Sequence, residues 1–336
     1  MEKLYFQWHI TNTCNLRCRH CYQDDFTPHG ELDWDGLKKI CSRISAACAK
    51  NGGASIDVTG GEPFLKKEFF KLLEHLDTNK EISQLGIITN ATKIDEGLAE
   101  SLGKFKKLQR IKISLDGAKP KTNDYVRGEG AFERIQNGIE ILKKKTRLPL
   151  ILMFTAMKHN VGDMAGILKL AKDMGAQGVI VERFFPTGLG TSIKEELLDK
   201  KSWRELINTL LELSGARYDD EEILPLRAFW VKFGAGKLEI SGAACNVGRD
   251  AFAIMPNGDV YPCRRFNLKI GNLTSQPLAE IIDSSLVLKD LEAKRRKGKC
   301  GECNIERCRG CAALTYLLKG DYLAEDTQCW YNTPRI

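Results

Sequence analysis

The sequence predicts an α/β fold. Six βα repeats form a parallel sheet that curls into an open partial barrel, followed by a small cysteine-rich C-terminal region. Three observations carry this. Short apolar, β-leaning runs alternate with helical periodicity through about residue 185, glycine-bearing turns follow several of the runs, and ten of the twelve cysteines fall in two groups near the chain ends.

The predicted strands are Leu4–Thr11, Ala54–Val58, Leu85–Ile88, Arg110–Leu115, Pro149–Thr155 and Gly178–Arg183. Helical periodicity lies between them, at Trp34–Ala49, Lys66–Leu76, Ile94–Leu102, Ala131–Lys145 and Val161–Met174. Right-handed crossovers curl such units. Two further repeats would be needed to close an eight-stranded barrel, and the pattern stops near Pro186. Gly60-Gly61, Gly117 and Gly188 follow the second, fourth and sixth strands, where ligands bind in parallel α/β architectures. The predicted organisation is a barrel over 1–190, a mostly helical bridging segment over 191–243 and a cysteine-rich domain over 244–336. In the last, Phe252–Met255 and Val260–Arg264 flank a Pro256-Asn257-Gly258-Asp259 hairpin signal, and a short helix is expected near Leu278–Leu291.

At 43% hydrophobic residues the chain can bury a substantial core. It has no apolar run long enough to span a membrane, and its N-terminus lacks a signal-peptide pattern. A cytoplasmic protein is expected. The net charge of +7 does not call for nucleic acid. One basic run, Lys294 to Lys299, reads as a solvated helix end and loop that could attract an acidic partner.

Twelve cysteines in a reducing compartment point to metal rather than disulfides. Cys14, Cys18 and Cys21 have C-x3-C-x2-C spacing on the loop after the first strand. Three thiolates on a four-iron cluster leave one iron open to a cofactor or substrate. A zinc knuckle completed by His9 or His20 is the bland alternative. Cys41 and Cys48 share one face of a predicted helix and read as buried thiols without chemistry.

The stretch Cys14-Asn15-Leu16-Arg17-Cys18-Arg19-His20-Cys21-Tyr22 resembles the signature loop of the radical SAM superfamily, with residues 4–190 as its six-fold partial barrel. The resemblance implies a [4Fe–4S] cluster on Cys14, Cys18 and Cys21 that binds S-adenosylmethionine (SAM) and reductively cleaves it to a 5′-deoxyadenosyl radical. That radical then abstracts a substrate hydrogen. It further implies SAM contacts at Tyr22, at Gly60, Gly61, Glu62 and Pro63 of a Thr59-Gly-Gly-Glu-Pro turn, and at Asn90, Ser114, Asp116, Arg127, Thr155 and Arg183.

The C-terminal array runs Cys245, Cys263, Cys300, Cys303, Cys308, Cys311, Cys329 and resembles the SPASM extension, which carries two auxiliary [4Fe–4S] clusters. A zinc ribbon on the two C-x2-C pairs would leave Cys245, Cys263 and Cys329 unexplained. The resemblance implies an outer cluster on Cys300, Cys303, Cys308 and Cys329, and an inner one on Cys245, Cys263 and Cys311. Two gaps are one residue shorter than the usual pattern. The inner cluster lacks a fourth cysteine, so an open iron, a substrate thiolate, water or Asp250 is expected there.

The resemblance implies a peptide-maturase-like enzyme acting on a ribosomally made peptide by crosslinking, epimerisation or oxidation. Tetrapyrrole side-chain modification such as decarboxylation is the alternative, and a non-catalytic iron–sulfur carrier a further one. A flavodoxin- or ferredoxin-type reductant is expected. Because the barrel starts within the first ten residues, a peptide substrate is expected either to come with a separate leader-recognition protein or to be bound directly.

Overall fold

The computed structural model describes residues 3–49, 52–234, 237–293 and 295–331. One eleven-stranded sheet runs through the molecule in the order β11-β10-β9-β1-β2-β3-β4-β5-β6-β7-β8. Its centre is the predicted set of parallel strands: β1 (Leu4–His9), β2 (Ala54–Thr59), β3 (Ile82–Thr89), β4 (Leu108–Ser114), β5 (Leu150–Ala156) and β6 (Gly178–Arg183). The sheet is open.

Alternation along these strands separates two faces. Phe6, Trp8, Ile56, Val58, Ile111, Ile113, Leu152, Phe154, Val179 and Val181 are buried in one apolar core with the crossover helices. Helix α1 (Trp34–Cys48) is representative. Asp33 caps it by accepting from Gly36 N, and Leu37, Ile40, Cys41, Ile44 and Cys48 form its buried stripe. Cys41 and Cys48 are thus core residues. Helices α2 (Phe69–Thr78), α3 (Glu96–Leu102), α4 (Pro120–Arg127), α5 (Ala131–Lys145) and α6 (Met164–Asp173) follow. Helix α4 was not predicted; Pro120 starts it in the first turn, where a missing N–H costs nothing.

The opposite, concave face is polar. Asp57 is fully buried there, 2.6 Å from both Tyr5 Oη and Lys112 Nζ and 3.0 Å from Arg110 Nε. A Cβ on Gly86 would fall 2.0 Å from Asp57 Oδ1, so glycine makes room for this ion cluster.

Residues 191–243 differ from the expectation of a mostly helical bridge. After α7 (Lys200–Ser214) and α8 (Asp220–Ile223), two strands, β7 (Leu226–Phe233) and β8 (Leu238–Ala244), extend the sheet antiparallel from β6. The predicted hairpin forms as β9 (Ala251–Ile254) and β10 (Asp259–Tyr261), and β9 pairs in parallel with β1. Strand β11 (Gly271–Asn272) completes that edge. The helix expected near Leu278–Leu291 is two, α9 (Leu278–Ser284) and α10 (Leu286–Glu292), broken where Ser285 turns extended and caps the second by accepting from Leu288 N. Helix α11 (Ala312–Lys319) follows the last close cysteine pair.

Lys294 of the basic run lies outside the described residues. The remainder braces the C-terminal region. Arg296 donates to Tyr322 O, Lys297 lies 2.6 Å from Asp321 and Lys299 Nζ donates to Cys329 O.

Candidate active site

Cys14, Cys18 and Cys21 line one cavity on the concave face, at the carboxyl ends of the parallel strands. Three other loops hold the cysteine loop. Gly61 N donates to Thr11 O and Glu62 N to Thr13 O, both at 2.8 Å. A Cβ on Gly60 would fall 2.3 Å from Thr11 O, and one on Gly61 2.4 Å from Thr13 O, so this close approach requires both glycines. Arg19 N donates to Val126 O of α4, and Gly190 N to Cys21 O. Gly188, at φ +58°, sits so close to Tyr22 that a side chain would collide with its carbonyl.

Tyr22, Gly60, Gly61, Asn90, Ser114, Arg127, Thr155 and Arg183 line the same cavity. Asn90 Nδ2 lies 3.9 Å from Cys14 Sγ. Glu62, Pro63 and Asp116 lie behind its wall. Glu62 is fully buried and accepts from Thr89 Oγ1 at 2.8 Å and Asn90 N at 2.9 Å, tying the Gly-Gly turn to the end of β3. Burial pushes its carboxyl up to about 7, and these hydrogen bonds only partly offset that. Asp116 meets Arg127 and His20 through Oδ2 and accepts from Thr155 N through Oδ1. Burial alone would raise its carboxyl, but Arg127 and His20 override it and hold the group at about 2.

The two histidines of the zinc alternative each have one ring nitrogen engaged and the other without a partner among the described residues. His9 Nδ1 faces the Tyr22 hydroxyl at 3.1 Å, and His20 Nε2 is taken by Asp116.

The C-terminal cysteines fall into two cavities. Cys245, Cys263 and Cys311 line one between β7–β8 and β9–β1. Cys300, Cys303, Cys308 and Cys329 line a smaller one. Every cysteine is free. Burial raises the Cys18 thiol to about 12 and the Cys311 thiol to about 11. Such thiols are neutral until iron replaces the proton. Donors wait on several sulfurs: Arg227 Nη2 at 3.4 Å from Cys308, Asp326 N at 3.4 Å from Cys300, and Arg265 N at 3.5 Å from Cys263. Asp250 does not line the inner cavity; Tyr5, Gln7, Glu182 and Asn246 do.

Sequence reasoning missed several residues of the site. Phe184, Phe185, Glu182, Arg264 and Arg265 all line the cysteine cavity, as does His20, which the sequence offered only as a zinc ligand. Arg264 and Arg265 follow Cys263 directly, which was the available signal.

The sequence pattern of the Radical SAM superfamily matches residues 8–171, and that of the SPASM iron–sulfur cluster-binding domain matches residues 245–312. The chain belongs to the radical SAM superfamily. It is a radical SAM enzyme with a SPASM extension, and SAM and [4Fe–4S] clusters are the cofactors of these domains. An AdoMet-dependent heme synthase of Methanosarcina barkeri is 29% identical over 96% of this chain and 95% of its own length. The mycofactocin maturase MftC of Mycobacterium ulcerans is 27% identical over 98% of this chain and 89% of its own. The crystal structure of Streptococcus suis SuiB bound to precursor peptide SuiA shares the fold, with a TM-score of 0.74 at 16% identity over 98% of this chain and 76% of that one. Among the described residues, no helix is long and apolar enough to cross a membrane.

The residues present fit the cofactors. Three free thiols from one loop share a cavity wall with two close-packed glycines, the hydroxyl-bearing Ser114 and Thr155, and Arg127, whose buried Nε has no partner. Bound there, SAM and a cluster would supply the hydrogen-abstracting radical.

Proposed function

We propose that the enzyme removes a hydrogen atom from a ribosomally made peptide, with the cluster on Cys14, Cys18 and Cys21 and SAM beside it. Two further clusters would be held by Cys245, Cys263 and Cys311, and by Cys300, Cys303, Cys308 and Cys329. The protein's part is positioning. Gly60 and Gly61 give SAM access to backbone, Asn90, Ser114 and Thr155 offer hydrogen bonds, and Arg127 offers a guanidinium to the SAM carboxylate. Phe184 and Phe185 supply an apolar wall that keeps water from the radical.

One observation favours a peptide. Strand β8 ends the sheet, its residues Ser241, Ala243 and Ala244 are exposed, and Ala243 and Ala244 line the inner cavity. An extended peptide pairing along this edge would enter beside Cys245. The mycofactocin maturase relative supports the same reading.

A tetrapyrrole substrate is the second reading. It is favoured by the match to nearly the whole length of a heme synthase. Coexpression with candidate peptides followed by mass spectrometry tests the first reading. A mass change on a peptide that disappears with Cys14→Ala is expected. Unmodified peptides together with turnover of a propionate-bearing porphyrin would replace it by the second.

A further inference from the structure

We propose that Arg264 and Arg265 seat a carboxylate of the substrate, on the wall between the radical cavity and the inner cysteine cavity. This rests on the reading that those two cavities receive the substrate.

Both arginines line both cavities, together with Glu182 and Phe185. Their side chains are only 14% and 15% exposed, and both guanidinium groups bind the same oxygen, Oε2 of Glu182. Two buried cations thus share one carboxylate. The rest of the concave face does not redress the balance, because Arg110 and Lys112 likewise share the single carboxylate of Asp57. A guanidinium removed from water without full compensation is unfavourable, so this wall favours an anionic ligand.

The geometry suits a carboxylate. Each guanidinium carries five N–H donors, and among the described residues each makes one hydrogen bond, to Glu182. Rings hold the two groups in place: Arg264 stands 5.6 Å from the Tyr22 ring centre and Arg265 5.1 Å from that of Phe185. Tyr22 adjoins Cys21, and Arg265 N points at Cys263 Sγ. A carboxylate gripped here lies between the two cysteine sets. A peptide C-terminus, an acidic side chain and a porphyrin propionate all present that group.

The test is equilibrium binding to the anaerobically reconstituted full chain with SAM and no reductant, so that no turnover is needed. One arm titrates a propionate-bearing porphyrin against its methyl ester. The other titrates a short peptide acid against its C-terminal amide. In one arm the acid is expected to bind at least roughly tenfold tighter than the neutral form, the scale of a charge-assisted pair. Arg264→Gln and Arg265→Gln are expected to erase that difference. Glu182→Gln, which removes the internal competitor, is expected to tighten the acid and leave the neutral form unchanged.

Acid and neutral forms binding alike in both arms, or Glu182→Gln weakening the acid, overturns the proposal. If the glutamine variants lose iron, Arg265→Lys decides. It keeps the charge but not the two-pronged fork, so weaker acid binding is expected and unchanged binding overturns the assignment. Absence of 5′-deoxyadenosine from the unaltered, reduced protein would instead count against the enzyme reading alone.

Discussion

Arg127 Nη2 lies 2.6 Å from Asp116 Oδ2, and His20 Nε2 lies 3.0 Å from the same oxygen. One fully buried carboxylate therefore orients both the arginine proposed to meet SAM and the histidine between Cys18 and Cys21. Asp116→Asn keeps the shape and removes the charge. It is expected to cost about 3 kcal/mol, since it leaves Arg127 buried without its partner. It should also weaken SAM binding. Denaturant unfolding and equilibrium dialysis check the two effects, and unchanged stability would assign the ion pair no energetic role.

Gly61→Ala probes the seam between the two loops. The added methyl would collide with Thr13 O at 2.4 Å and Asn12 O at 2.5 Å, just before Cys14. The expected result is loss of about four irons per chain and of SAM cleavage, with the C-terminal clusters retained. Iron analysis and Mössbauer spectroscopy of the variant read this directly.

Glu62 makes stability depend on pH. Its folded carboxyl sits at about 7, against about 4.3 in an unfolded chain. The folded state therefore holds a proton that the unfolded state releases. Its contribution is complete below about 4.3 and is lost as pH rises through about 7. Lowering the pH from about 8 to about 5.5 should stabilise the SAM-free protein by about 2 kcal/mol from this group. In Glu62→Gln that increment should vanish, as unfolding midpoints at the two pH values would show. An equal increment in the variant would contradict the assignment.

The six parallel strands were legible because each is a short apolar, β-leaning run set beside a helical pattern. Strands β7 and β8 were not. LRAFWVKF mixes charges with aromatics, and its half-buried position beside β6 is decided by tertiary pairing. Nor could local sequence reveal that Tyr5 pairs with Ala251, far along the chain. The cysteines marked the chain as an iron–sulfur protein, and the C-terminal seven divide between two cavities that only the fold reveals. The Glu182–Arg264–Arg265 cluster stayed hidden, because its members lie 82 and 83 residues apart and meet only when the hairpin joins the barrel.

The three cysteine sets predict an iron count. Anaerobically reconstituted protein should hold about twelve irons per chain, and the triple Cys14, Cys18, Cys21→Ala variant about eight. A plateau near four in the unaltered protein would mean that the C-terminal cysteines hold no clusters.

The central claim is that Cys14, Cys18 and Cys21 support reductive SAM cleavage. Its most direct measurement is 5′-deoxyadenosine released from SAM when the reconstituted protein is reduced with dithionite. The prediction is release that requires reductant and is lost in the triple variant. No 5′-deoxyadenosine from fully iron-loaded protein, or equal release from the triple variant, would contradict it.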